Sequence, residues 1–367
     1  MDTYGRHHLI GEANPGGWRA DPEFRRLARL VQEYCDPLAP YNHVDYPTVF
    51  TSFSYQRFLE APDTLVEKLP IEQVGPRRTR TTYVLRSPKG DLFWSFVREE
   101  DIDMSWDTRK PISSPHDVEA MLSVPFSFDK PSDSRYEAFR QHRREVGRNC
   151  IGGGWLTSMV AMLVGVMNFE LVLEWVLQEP GLIRMLADAW LERTWAKLDF
   201  LLSRGVGPFW HINGVERASP PMMGPRQWDE WVVPYDGEII RRIKNRDPEA
   251  RIHVHCHGRI SSLLDSWIAM GVDSIDPVEP PPQGDIQFVE AKRRVKGRIT
   301  LFGSIESCWL DMARPDEIEL AVRSAIEDGG SLRMALMPSA TRYERHTERY
   351  NANALRYIEA GLRYGGL

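Results

Sequence analysis

The segment Arg251-Ile-His-Val-His-Cys-His-Gly258 carries three histidines at strict alternation, His253, His255 and His257, with Ile252, Val254 and Cys256 between them. A period of two is the period of a β-strand, so the imidazoles share one face and the apolar set takes the other. Imidazole is the commonest metal ligand, and two on one strand can grip the same ion. The alternative reading makes His253 and His257 hydrogen-bonded core or loop residues. Gly258 ends the run, and residues 259–267 read as the start of a helix. A strand that carries imidazoles and turns straight into a helix points to a barrel active site.

The elements around this strand must bring it partners. From residue 149 onward, strand-like and helix-like stretches alternate. The expected strands are 149–151, 207–213, 252–257, 272–275, 299–302 and 332–337, and the closing helix is 346–364. Alternating β and α predicts a parallel sheet. With strands upstream, such as 48–58, the predicted fold is an α/β (β/α)8 TIM barrel in a single domain spanning residues 1–367. Residues 1–45 form an N-terminal helical extension, with Asp21 as N-cap and Pro22 opening an amphipathic helix. Residues 78–106 read as a β-hairpin insertion around Pro88-Lys-Gly90, and residues 131–147 as a charged helix.

Barrel active sites sit at the C-terminal ends of the strands. Those ends supply Gly152, Gly153 and Gly154, then Asn213 and Glu216, then His255 and His257. They continue with Asp276 and Glu279, then Glu306, then Ser339, Thr341 and Arg342. Glu216 and Glu279 stand out because each lies in a Gly- or Pro-shaped loop and not on a solvated helix face. Glu279 could instead pair with Lys292 or Arg293. The triple glycine is either a tight turn or an anion cradle at the next helix start.

Composition narrows the classes. The 367 residues carry a net charge of −6, with no basic footprint for nucleic acid. No stretch has the roughly 18–20 apolar residues of a membrane span, and the N-terminus has no apolar signal core. Four scattered cysteines without CxxC argue against a disulfide framework, so the expected compartment is the cytoplasm. Twelve Trp and thirteen Met hint at a pocket for something flat and apolar, beyond their ordinary use in packing.

The order of these motifs resembles the uroporphyrinogen decarboxylase-like superfamily, and within it the branch of zinc- and corrinoid-dependent methyltransferases. The resemblance spans about residues 110–367. It is carried by Ser219-Pro-Pro-Met-Met-Gly-Pro-Arg-Gln-Trp-Asp-Glu-Trp-Val-Val-Pro-Tyr235, by His255-Cys-His-Gly258, by Gly271-Val-Asp273, by Leu301-Phe-Gly-Ser304 and by Pro338-Ser339. The zinc methyltransferases read H-x-C-G at the histidine strand and add a later cysteine. Here His257 stands at the first cysteine position, and the late turn reads Pro338-Ser-Ala-Thr341. The resemblance therefore implies a zinc site of Glu216, His255 and His257 with an open position. The arginine-rich substrate motif of the true decarboxylase has no clear match in this sequence.

Two neutral imidazoles and a carboxylate leave zinc harder than thiolates do, which suits an oxygen ligand. The leading expectation is a methyltransferase (an O-demethylase component). It would move a methyl group from a methoxylated, aromatic small molecule to a corrinoid (cobalamin) on a partner protein. Glu279, Tyr235 and Asn213 are the candidate catalytic or substrate-contacting residues. Trp155, Trp210, Met222 and Arg342 are the candidate substrate-binding residues, with core packing as the alternative for the aromatic ones. A homodimer is what the resemblance suggests. The competing readings are a lyase or decarboxylase on the same barrel, using Arg342 or Arg217 as carboxylate partner, a zinc hydrolase, and a non-catalytic binding relative.

Overall fold

The histidine run does form a strand, and its neighbours form a ladder around it. The structure is a computed structural model. It describes residues 22–35, 38–40, 58–59, 61–100, 105–126, 137, 151–330, 332–339 and 347–366. The chain opens with α1 (Pro22–Tyr34) and β1 (Leu38–Pro40). Five short strands follow: β2 (Val66–Lys68), β3 (Glu72–Gly75), β4 (Arg78–Leu85), β5 (Leu92–Glu99) and β6 (Ser105–Arg109). After α2 (Pro115–Leu122) comes β7 (Ile151–Thr157), then α3 (Met159–Val166), α4 (Phe169–Gln178) and α5 (Pro180–Ser203). Next are β8 (Phe209–Asn213), α6 (Pro225–Trp231), α7 (Asp236–Arg246), β9 (Arg251–His255) and α8 (Leu264–Met270). The last units are β10 (Ser274–Val278), α9 (Phe288–Val295), β11 (Thr300–Ile305), α10 (Trp309–Met312), α11 (Pro315–Gly329), β12 (Met334–Pro338) and α12 (Glu348–Gly365).

β1 and β7 to β12 form a seven-stranded sheet in the order β1-β7-β8-β9-β10-β11-β12. Its ladders are parallel throughout. From β7 to β12 helices intervene between successive strands, so each of those steps is a βα unit, and the parallel ladders put all strand C-termini on one rim. The fold is therefore α/β with a parallel sheet. Among the described residues no pairing joins β12 to β1. The eight-stranded closed barrel is thus seen only as a seven-stranded ladder. Of residues 48–58, expected to supply a strand, 48–57 lie outside the described residues and Phe58 is in a turn.

One face of this sheet is apolar and packs on helices. Trp210, Ile212, Ile252, Val254, Ile275 and Leu301 are buried in one cluster with Trp228, Ile240 and Trp267 of the helical layer. Trp228 donates from Nε1 to Ser266 Oγ at 2.9 Å and meets Trp267 edge-on at 5.7 Å. The other face carries the alternate residues. His211 and His253 are paired in register between β8 and β9, as are His255 and Asp276 between β9 and β10. Strand parity thus sorts imidazole from hydrocarbon, as the alternation requires.

The triple glycine corrects an expectation. Gly152, Gly153 and Gly154 lie inside β7, which runs on to Thr157, so they form neither a turn nor an anion cradle. A Cβ on Gly154 would lie 2.4 Å from the Trp210 ring, so at this position glycine makes room for the indole next door.

The hairpin expected over residues 78–106 is present as β4 and β5, paired from Arg78↔Glu99 to Leu85↔Leu92. It sits in a larger antiparallel sheet. β2 and β3 both pair along one edge of β4, and β6 pairs β5. Leu85, Leu92 and Trp94 of this sheet belong to the same buried cluster as the parallel sheet. The N-terminal helix α1 begins at Pro22 as expected and buries Phe24, Leu27, Ala28 and Val31. That i, i+3, i+4, i+7 stripe packs on Tyr350, Ala354, Tyr357 and Ile358 of α12. No helix among the described residues is long and apolar enough to cross a membrane. Of the expected charged helix 131–147 only Glu137 is described, and it is helical; most of residues 1–45 lie outside the described residues.

Candidate metal and active site

The site is built on the ends of β8, β9 and β10. His253 is completely buried, with Nδ1 2.8 Å from Ser274 Oγ. Its Nε2 lies 2.7 Å from Asp276 Oδ1, off the alignment of a good hydrogen bond. Asp276 is itself buried, and its other oxygen is 3.0 Å from His255 Nδ1. The carboxylate therefore bridges two imidazoles. Burial opposes the charge on Asp276, but His255 and His253 outweigh it and hold its pKa well below the usual carboxylate range. Burial alone would lower the pKa of His255. Asp276, and behind it Glu216 and Glu279, reverse the sign and raise it.

One step further along the rim the arrangement repeats. His257 Nδ1 is 2.9 Å from Glu279 Oε1, and the second oxygen of Glu279 accepts the backbone N–H of Gly258 at 2.7 Å. Glu279 therefore anchors the histidine loop, and it does not pair with Lys292, whose ammonium donates to the carbonyls of Leu332 and Arg333. The rings of His255 and His257 meet edge-on with centroids 4.6 Å apart. In both, Nδ1 is engaged by a carboxylate, which fixes the tautomer and presents Nε2 as the free donor.

Glu216 lies on the 3₁₀ turn Val215–Ala218 that follows β8. One oxygen is 3.3 Å from Arg217 Nε, and the other is buried without a hydrogen-bond partner. An orphaned buried carboxylate oxygen is costly unless something cationic completes it. Among the described residues, the metal-capable side chains whose donor atoms lie within 4.8 Å of one another are His211, His255 and Asp276. His255 is thus common to this deeper grouping and to the set implied by the resemblance. His211 and Asp276 were passed over as ligands in the sequence. The signal for His211 was its parity: it alternates with Trp210 and shares a face with Phe209 and Asn213.

The remaining candidates separate. Trp210 is fully buried against Gly154 on the helix-packed face, so it cannot line the site. The Tyr235 hydroxyl donates to Asp188 on α5 at 2.9 Å. Burial and that carboxylate push its pKa up to about 12, and the phenol ties α5 to the start of α7 and does not reach the strand ends. Asn213 ends β8, where its carbonyl accepts the N–H of Ser158. Met222 is half exposed on the loop after β8, open to a ligand or partner. The side chain of Trp155 and all of Arg342 lie outside the described residues. Cys256 is buried, and burial pushes its thiol pKa well up, so it is no thiolate ligand.

The parallel α/β sheet and its rim of carboxylate-anchored histidines define the class of fold and site, and comparison with known proteins makes the family specific. Residues 106–335 match the family described as uroporphyrinogen decarboxylase (URO-D), and the chain belongs to that family. A curated relative, the chloroplastic uroporphyrinogen decarboxylase 1 of Oryza sativa subsp. japonica, is 26% identical over 113 residues. That match covers 30% of this chain and 27% of the rice protein. Among solved structures, a methyltransferase from Methanosarcina mazei aligns with a TM-score of 0.53 and 18% identity, covering 71% of this chain and 72% of the other. That likeness is one of fold.

Proposed function

We propose that this protein is a zinc-dependent methyltransferase. It would take a methyl group from a methoxylated aromatic small molecule and pass it to a corrinoid carried by a partner protein. The parallel sheet would be the visible part of a (β/α)8 barrel. The observation that carries the reading is the pair of imidazoles, His255 and His257, each held at Nδ1 by a buried carboxylate beside the orphaned oxygen of Glu216. These donor types suit zinc. Among the described residues His211, His255 and Asp276 have ligand atoms within 4.8 Å of one another and Glu216, His255 and His257 do not, so the latter set would hold zinc only once the loops carrying Glu216 and His257 draw closer to His255. When bound, zinc would supply Lewis-acid polarisation of the ether oxygen.

The residues of the chain do the rest. Asp276 and Glu279 would orient the two ligand histidines by holding each at Nδ1. Glu279 also pins Gly258, so the loop carrying His257 cannot swing away. Met222, exposed at the rim, gives an aryl ring an apolar surface. Asn213, at the end of β8, would contact the substrate.

A decarboxylase remains the second reading, because the family and the rice relative carry that name. The two separate in one experiment. Purified protein is assayed for metal by mass spectrometry, wild type and His257→Ala, without added metal. About one zinc per chain, lost in the variant, is expected. Equal zinc in both would move the site to His211, His255 and Asp276, and none in either would favour a metal-free decarboxylase.

A further inference from the structure

Two carboxyl groups, Glu279 and Glu306, follow the ends of β10 and β11, and they are not equivalent. Both oxygens of Glu279 are committed to accepting hydrogen bonds, from His257 and from the Gly258 N–H. Glu306 is differently placed. It follows Ile305 at the end of β11 and is half-buried on the same rim. Its Oε2 accepts from Ser339 Oγ at 3.0 Å, and that hydroxyl in turn accepts the N–H of Ser307 at 3.1 Å. Ser339 lies just beyond β12, so Glu306 is held between neighbouring strand ends.

The side-chain amide of Gln283, in the Pro280-Pro-Pro-Gln-Gly284 loop, faces the same carboxyl. With its NH2 turned toward Glu306 it donates to both oxygens, at 3.1 Å to Oε1. An amide can serve either form of this carboxyl. It offers NH2 to a carboxylate and, after a half turn, its carbonyl to a carboxylic acid. Glu306 can therefore gain or lose a proton without losing its partner. The loop is built for this closeness: Gly284 folds back until a Cβ there would collide with the carbonyl of Glu279, so no larger residue permits that return.

We propose that Glu306 is a catalytic residue of this site, the proton donor to the substrate oxygen as its methyl group departs. The inference rests on the methyl-transfer reading above. The bond from methyl carbon to ether oxygen breaks, and its electron pair stays on the oxygen. A bond from that carbon to the cobalt of a reduced corrinoid forms with the electron pair of the cobalt. The proton of Glu306 goes to the oxygen, leaving a phenol and a Glu306 carboxylate. Burial and the neighbouring Glu279 charge both push the Glu306 pKa up, while Ser339 and His257 pull against them. Among the described residues, Glu279 at the end of β10 and His257 beyond β9 are the charged or titratable groups that act on it. The two carboxyls divide the work by their contacts: Glu279 orients His257 and Gly258, and Glu306, held by Ser339 and Gln283, is the one placed to deliver a proton.

The test compares wild type, Glu306→Gln and Glu306→Asp, each first checked for zinc content and circular dichroism. The probes are 2-methoxyphenol and free cob(I)alamin, with methylcobalamin formation followed by absorbance across pH. Glu306→Gln should keep its metal and its KM for the ether and lose about 100-fold or more in kcat. It should also lose the decline of the wild-type rate as pH rises through the Glu306 pKa, and Glu306→Asp should restore part of both. In parallel, infrared spectroscopy should show a protonated-carboxyl band in the wild type, sensitive to deuterium oxide and absent from Glu306→Gln. An active wild type whose Glu306→Gln variant keeps its rate and pH profile would overturn the Glu306 proposal alone. So would the lack of any such band at the pH of full activity. A zinc-loaded wild type inert toward these probes would overturn the methyl-transfer reading and the Glu306 role together.

Discussion

At the scale of single residues, the site depends on carboxylates that touch histidines and need not touch the substrate. Asp276 bridges His253 and His255, and Glu279 holds His257. Such partners raise the basicity of a ligand imidazole and stop its ring from turning. Replacing Glu279 with Gln keeps the shape but removes the charge and leaves one of its two accepting positions as a donor. We expect zinc affinity to fall about 10- to 100-fold in Glu279→Gln, read by competition with a chromophoric chelator. Unchanged affinity would mean that His257 is no ligand. The pairing was half legible in the sequence. Alternation put the histidines together, and the Pro-rich loop singled out Glu279. The Asp276 bridge was not legible, because it depends on the register between β9 and β10, which no local pattern encodes.

At the scale of elements, the helices carry their own titration. Asp236 opens α7 and is buried, with Oδ1 accepting the N–H of Met159 at the start of α3 at 3.1 Å and Oδ2 without a partner. Burial raises its pKa from 3.8 to about 7, against the pull of that single hydrogen bond. The folded state then binds a proton that the unfolded state releases near pH 4. Its contribution to stability is complete below about pH 4 and is lost as pH rises to about 7, roughly 4 kcal/mol over the window. Asp236→Asn keeps the acceptor for Met159 and removes the titration. Urea unfolding at a series of pH values should show that the variant loses this decline and is the more stable protein at pH 8. A wild type and variant with parallel pH profiles would place the proton elsewhere. The sequence marked Pro234-Tyr235 as the end of a family-like motif. It gave no sign that Tyr235 would turn to Asp188, because that choice belongs to the packing of α5 beside α7.

At the scale of the molecule, the described residues form two buried clusters. One unites the parallel sheet, its helices and the antiparallel sheet, and the other unites α1, α11 and α12 with the end of β11. Leu27 lies at the centre of the α1 stripe and is fully buried. Leu27→Ala should cost about 2–5 kcal/mol. Hydrogen exchange should then rise in α1 and α12 before it rises in β8 and β9, since the clusters are separate. Uniform loss of protection would show the two clusters to be one cooperative unit.

The sequence by itself determined what depends on local periodicity. The strand–helix alternation gave the parallel α/β class, the spacing of His253, His255 and His257 gave a shared face, and the i, i+3, i+4, i+7 stripe gave α1. These signals survive because strand and helix periods act over a few residues, whatever the rest of the chain does. The tertiary structure decided what depends on which strands lie side by side. It placed Gly152 to Gly154 inside β7, where Gly154 admits the ring of Trp210, so a sequence that reads as a turn became a strand. It sent Trp210 to the helix face and His211 to the imidazole face, and it gave Asp276 two histidines. It also set Glu306 beside Gln283 and Ser339, residues 23 and 33 positions away in the chain. Contacts of that separation are fixed by register and packing across strands, which residue type and spacing do not carry.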